Sequence, residues 1–175
     1  KHVKNLQSFG QTVVIAFNKF ATDTDEEIEV LRKHCEEMGC GFAVNSAFAE
    51  GGKGAMELAE LVVKTIDEHP SAPLYFTYDD DEPVEKKIED VAFNLYGAGS
   101  VTLSDSAKSM IEEIKKLGAE KFPICIAKTQ YSFSTDAKAY GPTEGFELHV
   151  RDITVNMGAE MIVVIAGPIM RMPGL

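Results

Sequence analysis

Two phenylalanines stand where a flat ligand could be held. Phe20 follows the apolar run Thr12 to Phe17 (TVVIAF), and Phe48 follows the shorter run Phe42 to Asn45; each lies just past a strand-like segment in a polar loop. Aromatic side chains at strand ends are natural platforms for a heterocycle, each worth about 1–3 kcal/mol on the scale measured for base stacking. The same rings read equally as plugs of an apolar core. Around the first of them, Asn18-Lys19-Phe20 with Asp23 further on is like the Asn-Lys-x-Asp element that reads bases in nucleotide-binding folds. Phe20 and Ala21 displace the Asp that should stand fourth, so the segment also reads as a plain strand–helix loop with an N-cap at Asp23 or Thr24.

Around the second ring, Glu50-Gly51-Gly52-Lys53-Gly54 opens a helix, a geometry that favours anions at exposed backbone amides. It is not a phosphate-loop signature: no glycine lies five before Gly52, and Gly54 occupies the Ser/Thr place. A hinge or close-packing role explains the glycines as well. The remaining dense polar segment is AKTQYSFSTD, Ala127 to Asp136, where Lys128, Thr129, Gln130 and Tyr131 supply donors for an anion or a heterocycle edge. A turn that satisfies its own backbone is the alternative. No metal site is expected: Cys35 and Cys40 are only two sulfur ligands at a poor spacing, and Cys125 sits in an apolar strand as inert core. The four histidines have no recognisable triad partner.

The elements that must position these groups follow an α/β pattern. TVVIAF has the composition of a strand covered on both faces in a parallel sheet. Thr24 or Asp23 caps a helix whose acidic first turn, Asp25-Glu26-Glu27, suits the positive end of the helix dipole. Its Ile28, Leu31, Cys35 and Met38 form one stripe. A second amphipathic helix is expected from about Ala55 to Glu68, with Met56, Leu58, Ala59, Val62, Val63 and Ile66 facing the core. One strand pair is too few for a free-standing doubly wound sheet, so further strands are expected upstream.

From Ser71 the composition shifts. SAPLYFTYDDDEP reads as a connector, and its acidic run Asp79 to Glu82 as a solvated face. Val84 to Tyr96 and Ser104 to Leu117 carry helical periodicity ending at Gly97 and Gly118. Phe122 to Ala127 and Met161 to Ala166 read as strands, Gly145 to Val155 alternates moderately, and Lys128 to Pro142 is a long polar loop. The domain reading is residues 1–72 as part of an α/β nucleotide- or folate-binding domain and 73–175 as a smaller helical-plus-β subdomain.

Length and charge bound the function. A chain of 175 residues buries a core without staples. The 17 basic residues against 28 acidic ones give a net charge of -11, which disfavours nucleic acid as a partner. No apolar run approaches the ~20 residues of a membrane span. Three cysteines and no leader segment point to the cytoplasm. The chain starts at Lys1 inside a helical pattern and stops just after an apolar strand, so it reads as a piece of a longer protein.

Four segments together, VVIAFNKFATDTDEE, NSAFAEGGKGAMELAE, FPICIAKTQYSFSTD and GPIMRMPGL, occur in the order and spacing of formate–tetrahydrofolate ligase. The resemblance covers essentially all 175 residues and corresponds to the C-terminal third of that family, short of its extreme C-terminus. It implies a fold related to phosphate-loop nucleoside triphosphatases and an ATP-dependent ligation. Formate becomes formyl phosphate, and N10 of tetrahydrofolate then attacks the formyl carbon. It implies ATP with Mg bound mainly by the N-terminal part, tetrahydrofolate and formate as substrates, no membrane or nucleic-acid partner, and a homo-oligomer (dimer or tetramer). The family sandwiches the pterin ring between a Phe and an aromatic, commonly Trp; those positions match Phe20 and Phe48. Phe for Trp offers a smaller face and no indole N–H. Asn18, Glu50, Thr129, Gln130 and Tyr131 are candidate polar contacts, and no catalytic residue is expected within these residues. With the phosphate loop absent, the 175 residues alone are expected to be inactive. A non-catalytic interaction module of a larger enzyme is the competing expectation, and a nucleotide-binding regulatory domain using Asn18 a third.

Overall fold

The computed structural model describes residues 1–167; the turn motif with Arg171 (GPIMRMPGL) lies, beyond Gly167, outside the described residues. The chain is α/β with small parallel sheets and divides into two compact units, Lys1–Tyr75 and the residues from Phe76 onward.

In the first unit, α1 (His2–Ser8) ends before Gly10, whose φ of 77° suits a residue without Cβ. β1 (Val14–Asn18) pairs parallel with β2 (Gly41–Asn45). Between them runs α2 (Asp25–Glu37), started by a complete capping box: Thr24 Oγ1 accepts from Glu27 N at 3.3 Å, and Thr24 N donates to the Glu27 carboxylate at 2.9 Å. Val13, Ile28, Cys35, Cys40 and Phe42 form the core of this unit.

The segment expected as a loop after β2 is helical. α3 (Ala47–Glu50) is one turn, followed by a 3₁₀ turn over Gly51–Ala55 and then α4 (Met56–Glu68). Two expectations are corrected here. Met56, Val62, Val63 and Ile66 of α4 are exposed rather than buried, Ala59 is exposed as well, and only Leu58 of the expected stripe is half-buried, alongside Leu61 and Thr65. A ribbon of two strands offers one line of contact, and the packed line is 58-61-65. β1 likewise is not covered on both faces, since Ala16 and Asn18 are exposed.

The second unit begins with α5 (Val84–Asp90), which continues as a π-helix to Tyr96 and stops at Gly97 with φ 82°. β3 (Ser100–Leu103), a strand the sequence pattern did not reveal, leads into α6 (Asp105–Leu117), capped by Ser104. β4 (Ile124–Ala127), β5 (Glu147–Val150), β6 (Asp152–Asn156) and β7 (Met161–Ile165) complete it. β3 pairs parallel with β5, while the other sheet has the order β4-β7-β6, parallel then antiparallel. The core is built from Ile88 of α5, Ile111 and Ile114 of α6, and Leu148, Ile153 and Ile162 of the strands, all essentially inaccessible.

Lys87 lies inside this unit with no exposed surface. Its ammonium donates to the carbonyls of Glu120 at 2.7 Å and Phe122 at 3.2 Å and sits 5.7 Å from the centre of the Tyr78 ring. Burial lowers its pKa from the ordinary lysine value, against the opposing pull of Asp80, Asp81 and Glu82. Cys125 is exposed, which corrects its reading as inert core. On β4 the neighbours Ile124 and Ile126 pack inward, so strand alternation turns Cys125 to the other face. Among the described residues no helix is long and apolar enough to cross a membrane.

Candidate functional site

The register of β1 and β2 decides where the two rings stand. Asn18 and Asn45, the last residues of their strands, are direct partners, and Lys19 N donates to Asn45 O at 3.0 Å. The loops carrying Phe20 and Phe48 therefore leave the sheet at the same rim, the carboxyl rim of parallel strands where open α/β sheets place ligands. Both rings are solvent-facing: Phe20 is 68% exposed and Phe48 fully so, at 102%. Neither is a core plug.

Each ring hangs from a pinned backbone. Phe20 N donates to Asp23 Oδ2 at 2.7 Å, and Asp23 N donates back to Phe20 O at 3.1 Å. The Asp23 carboxylate is thus engaged in a closed turn, while the helix cap is Thr24. Lys19 reaches Asp25 at 3.2 Å. On the other loop, Ala47 N donates to Asn45 Oδ1 at 3.2 Å, and Ser46 Oγ donates to Glu50 Oε2 at 3.1 Å, closing the single turn of α3 around Phe48. One carboxylate oxygen of Glu50 is held in this way.

The glycine-rich turn supports this loop by packing. A Cβ on Gly54 would stand 2.5 Å from the Ser46 carbonyl carbon, 2.6 Å from its oxygen and 2.7 Å from Ala47 N, and Ser46 N donates to Gly54 O at 3.0 Å. Gly51 holds φ 62° and ψ -145°, a conformation essentially reserved to glycine. Gly52 has open space where a Cβ would go.

The structure gathers Asn18, Phe20, Phe48 and Glu50 at one rim of the first unit. Thr129, Gln130 and Tyr131 belong to the second unit. There Thr129 is buried, its hydroxyl accepting from Tyr131 N at 3.3 Å, and the buried Ser134 hydroxyl accepts from Asp136 N at 3.1 Å. Lys128 donates to the carbonyls of Thr129, at 3.3 Å, and Ser132 and lies 4.7 Å over the Tyr96 ring and 5.9 Å from that of Phe133. Burial lowers the pKa of Lys128; burial first, then the neighbouring Cys125, raises that of Tyr96. Gln130 and Tyr131 are exposed.

Cys35 and Cys40 are buried thiols whose pKa burial raises, Cys40 also through Cys35. Among the described residues, no three His, Cys, Asp or Glu side chains group as a metal site. Sequence reasoning missed Asn45. The available signal was that both apolar strands end in asparagine.

The chain is thus α/β with small parallel sheets, and its first unit carries two exposed rings at one strand rim. The chain belongs to the formate–tetrahydrofolate ligase family, whose model matches residues 1–175. It is 62% identical over 175 residues to the formate–tetrahydrofolate ligase of Bacteroides fragilis and 62% identical to that of Phocaeicola vulgatus, in each case over 100% of the chain and 32% of the relative. The ligase of Campylobacter concisus is 49% identical over 99% of the chain and 32% of its own length. The chain therefore spans about a third of the length of the curated relatives it matches.

Proposed function

We infer that this chain supplies the pterin-stacking platform of a formate–tetrahydrofolate ligase, with Phe20 and Phe48 clasping the reduced ring. The observation that carries this is two benzyl rings left in water at adjacent carboxyl ends of a parallel strand pair. Exposed rings on hydrogen-bonded turns favour a stacking role over the module reading, in which both would be core. In the reaction, ATP transfers its γ-phosphoryl group to formate, giving formyl phosphate and ADP. N10 of tetrahydrofolate attacks the formyl carbon, phosphate leaves, and N10 loses its proton to give 10-formyltetrahydrofolate. The platform's part is to hold N10 in reach of that carbon and to keep its orientation fixed.

Asn18 and Glu50 stand at the same rim as candidate contacts for the polar edge of the pterin. Thr129, whose hydroxyl is occupied by its own turn, is a structural support, and Gln130 and Tyr131 are the available contacts of that loop. ATP with Mg is held mainly by the N-terminal part of the enzyme, which carries the phosphate loop, so the 175 residues alone turn over no formate; turnover by the isolated chain refutes this. The first unit belongs to a phosphate-loop-NTPase-like sheet, and a complete-enzyme structure in which no further parallel strand joins β1–β2 refutes that. The complete enzyme is a cytoplasmic homo-oligomer, a claim that a monomeric mass in sedimentation would remove.

The decisive experiment is steady-state kinetics of the complete enzyme carrying Phe20→Ala or Phe48→Ala. Loss of about 1–3 kcal/mol of stacking raises the KM for tetrahydrofolate roughly 5- to 150-fold, with the KM for ATP unchanged. Unchanged tetrahydrofolate KM values in both variants would falsify the platform.

A further inference from the structure

We propose that Asn45 is a positioning residue that sets the two rings against each other by tying their loops together. The proposal rests on the platform reading above and names what holds the platform in register.

Asn45 makes three contacts, each within three residues of a ring. Its backbone oxygen accepts from Lys19 N at 3.0 Å, next to Phe20. Its side-chain Oδ1 accepts from Ala47 N at 3.2 Å, next to Phe48. Its Nδ2 donates to Asn18 Oδ1 at 2.9 Å, across the strand pair. The orientation of both carboxamides follows from chemistry. The Ala47 N–H can only donate, so the Asn45 oxygen must face it, which leaves the Asn45 amino group for Asn18. Asn18 must then present its oxygen to Asn45, turning its own amino group away from it.

One side chain thereby fixes the start of the helical turn under Phe48 and the end of the strand leading to Phe20. Without it, among the described residues, the loops are joined at this rim by backbone bonds alone: the ladder of β1 and β2 and the Lys19 N–Asn45 O bond just past it. That ladder ends at Asn18 and Asn45, before either ring is reached. The bridge lies at the surface, with Asn18 exposed and Asn45 half-buried, so its effect on global stability is small and its effect on the spacing of the rings is direct.

The test uses the complete ligase and four variants, Asn45→Ala, Asn18→Leu, Asn18→Asp and the double variant Asn45→Ala with Asn18→Leu, with Phe20→Ala and Phe48→Ala in the same assay. Loss of a bridging hydrogen bond raises the tetrahydrofolate KM roughly 3- to 10-fold in Asn45→Ala and Asn18→Leu, while the KM for ATP stays. The double variant loses less than the two single losses added together, because the bond they share is lost only once. Asn18→Asp keeps an acceptor for Asn45 Nδ2 and recovers most of what Asn18→Leu loses, which a purely volumetric role would not predict. If the phenylalanine variants raise the KM but the asparagine losses are absent or simply add, this proposal alone is overturned. If Asn18→Asp is as poor as Asn18→Leu, Asn18 acts through its amino group and the bridge is likewise overturned. If the phenylalanine variants themselves have no effect, the platform falls and the proposal falls with it.

Discussion

The turn Gly51-Gly52-Lys53-Gly54 offers a graded test, because its glycines differ in structure though not in sequence type. Replacing Gly54 with Ala puts a Cβ at 2.5 Å from a backbone carbon of Ser46, and ordinary contact begins at 3.4 Å, so the strand end must retreat by roughly 0.9 Å. No flexible side chain can absorb that movement, since the three nearest atoms are all backbone. The displaced residue lies two before Phe48 and also gives up its 3.0 Å bond to the Gly54 carbonyl. Overpacking of this kind costs about 1–3 kcal/mol of stability. A shift near 1 Å in a positioning element can cost about 100-fold in rate. Gly51→Ala meets open space but keeps φ at 62°, which strains any residue with a Cβ by about 1–3 kcal/mol. Gly52→Ala meets neither obstacle and changes stability by no more than about 0.5 kcal/mol. The assay is urea unfolding of the purified variants together with tetrahydrofolate and ATP KM values in the complete enzyme. The expected order of damage is Gly54, then Gly51, with Gly52 near wild type, and the kinetic loss falls on tetrahydrofolate. A Gly52→Ala variant that folds normally yet is as impaired as Gly54→Ala refutes the packing argument. It would show instead that a ligand approaches the Gly52 backbone.

Two further outcomes are expected. Lys87→Met leaves the carbonyls of Glu120 and Phe122 without their donor and destabilises the chain by about 1–3 kcal/mol at neutral pH, measured by urea unfolding. Because the folded pKa of Lys87 lies below its unfolded value, the unfolded chain binds more protons in the window just below 10.5, so this residue makes the wild type gain stability as pH rises through that window. The gap to Lys87→Met therefore widens as pH rises toward 10.5, and a constant gap contradicts the argument. A thiol reagent under native conditions modifies Cys125 alone, since Cys35 and Cys40 are buried thiols with raised pKa; release of more than one equivalent before unfolding contradicts the burial.

The local elements were legible because their causes are local. Thr24 and Glu27 sit three apart and make the capping box wherever that segment is helical. Gly10, Gly97 and Gly118 stop helices because each takes a positive φ at a helix end. The rings at Phe20 and Phe48 were legible as occupants of strand-end loops, and membership of the ligase family was already carried by four short segments spread along the chain. What escaped was the outcome of competition between distant segments. β3 has only four residues, and it becomes a strand because Ser100 to Leu103 find Glu147 to Val150 far along the chain. Cys125 sits in an apolar run, yet alternation sends it outward while Ile124 and Ile126 take the core.

The amino-acid order by itself determined the class of fold, the helix ends, and which two rings stand past which two strands, since these depend on neighbours within a few residues. Only the tertiary structure decided that the α4 stripe stays in water, that Gly54 is a packing contact, and that Asn45 bonds Asn18. Periodicity says that a helix has an apolar line, but which line is buried depends on the width of the sheet it meets. The asparagines meet only because the parallel register puts strand ends 27 residues apart side by side, and register is a property of paired segments that neither possesses alone.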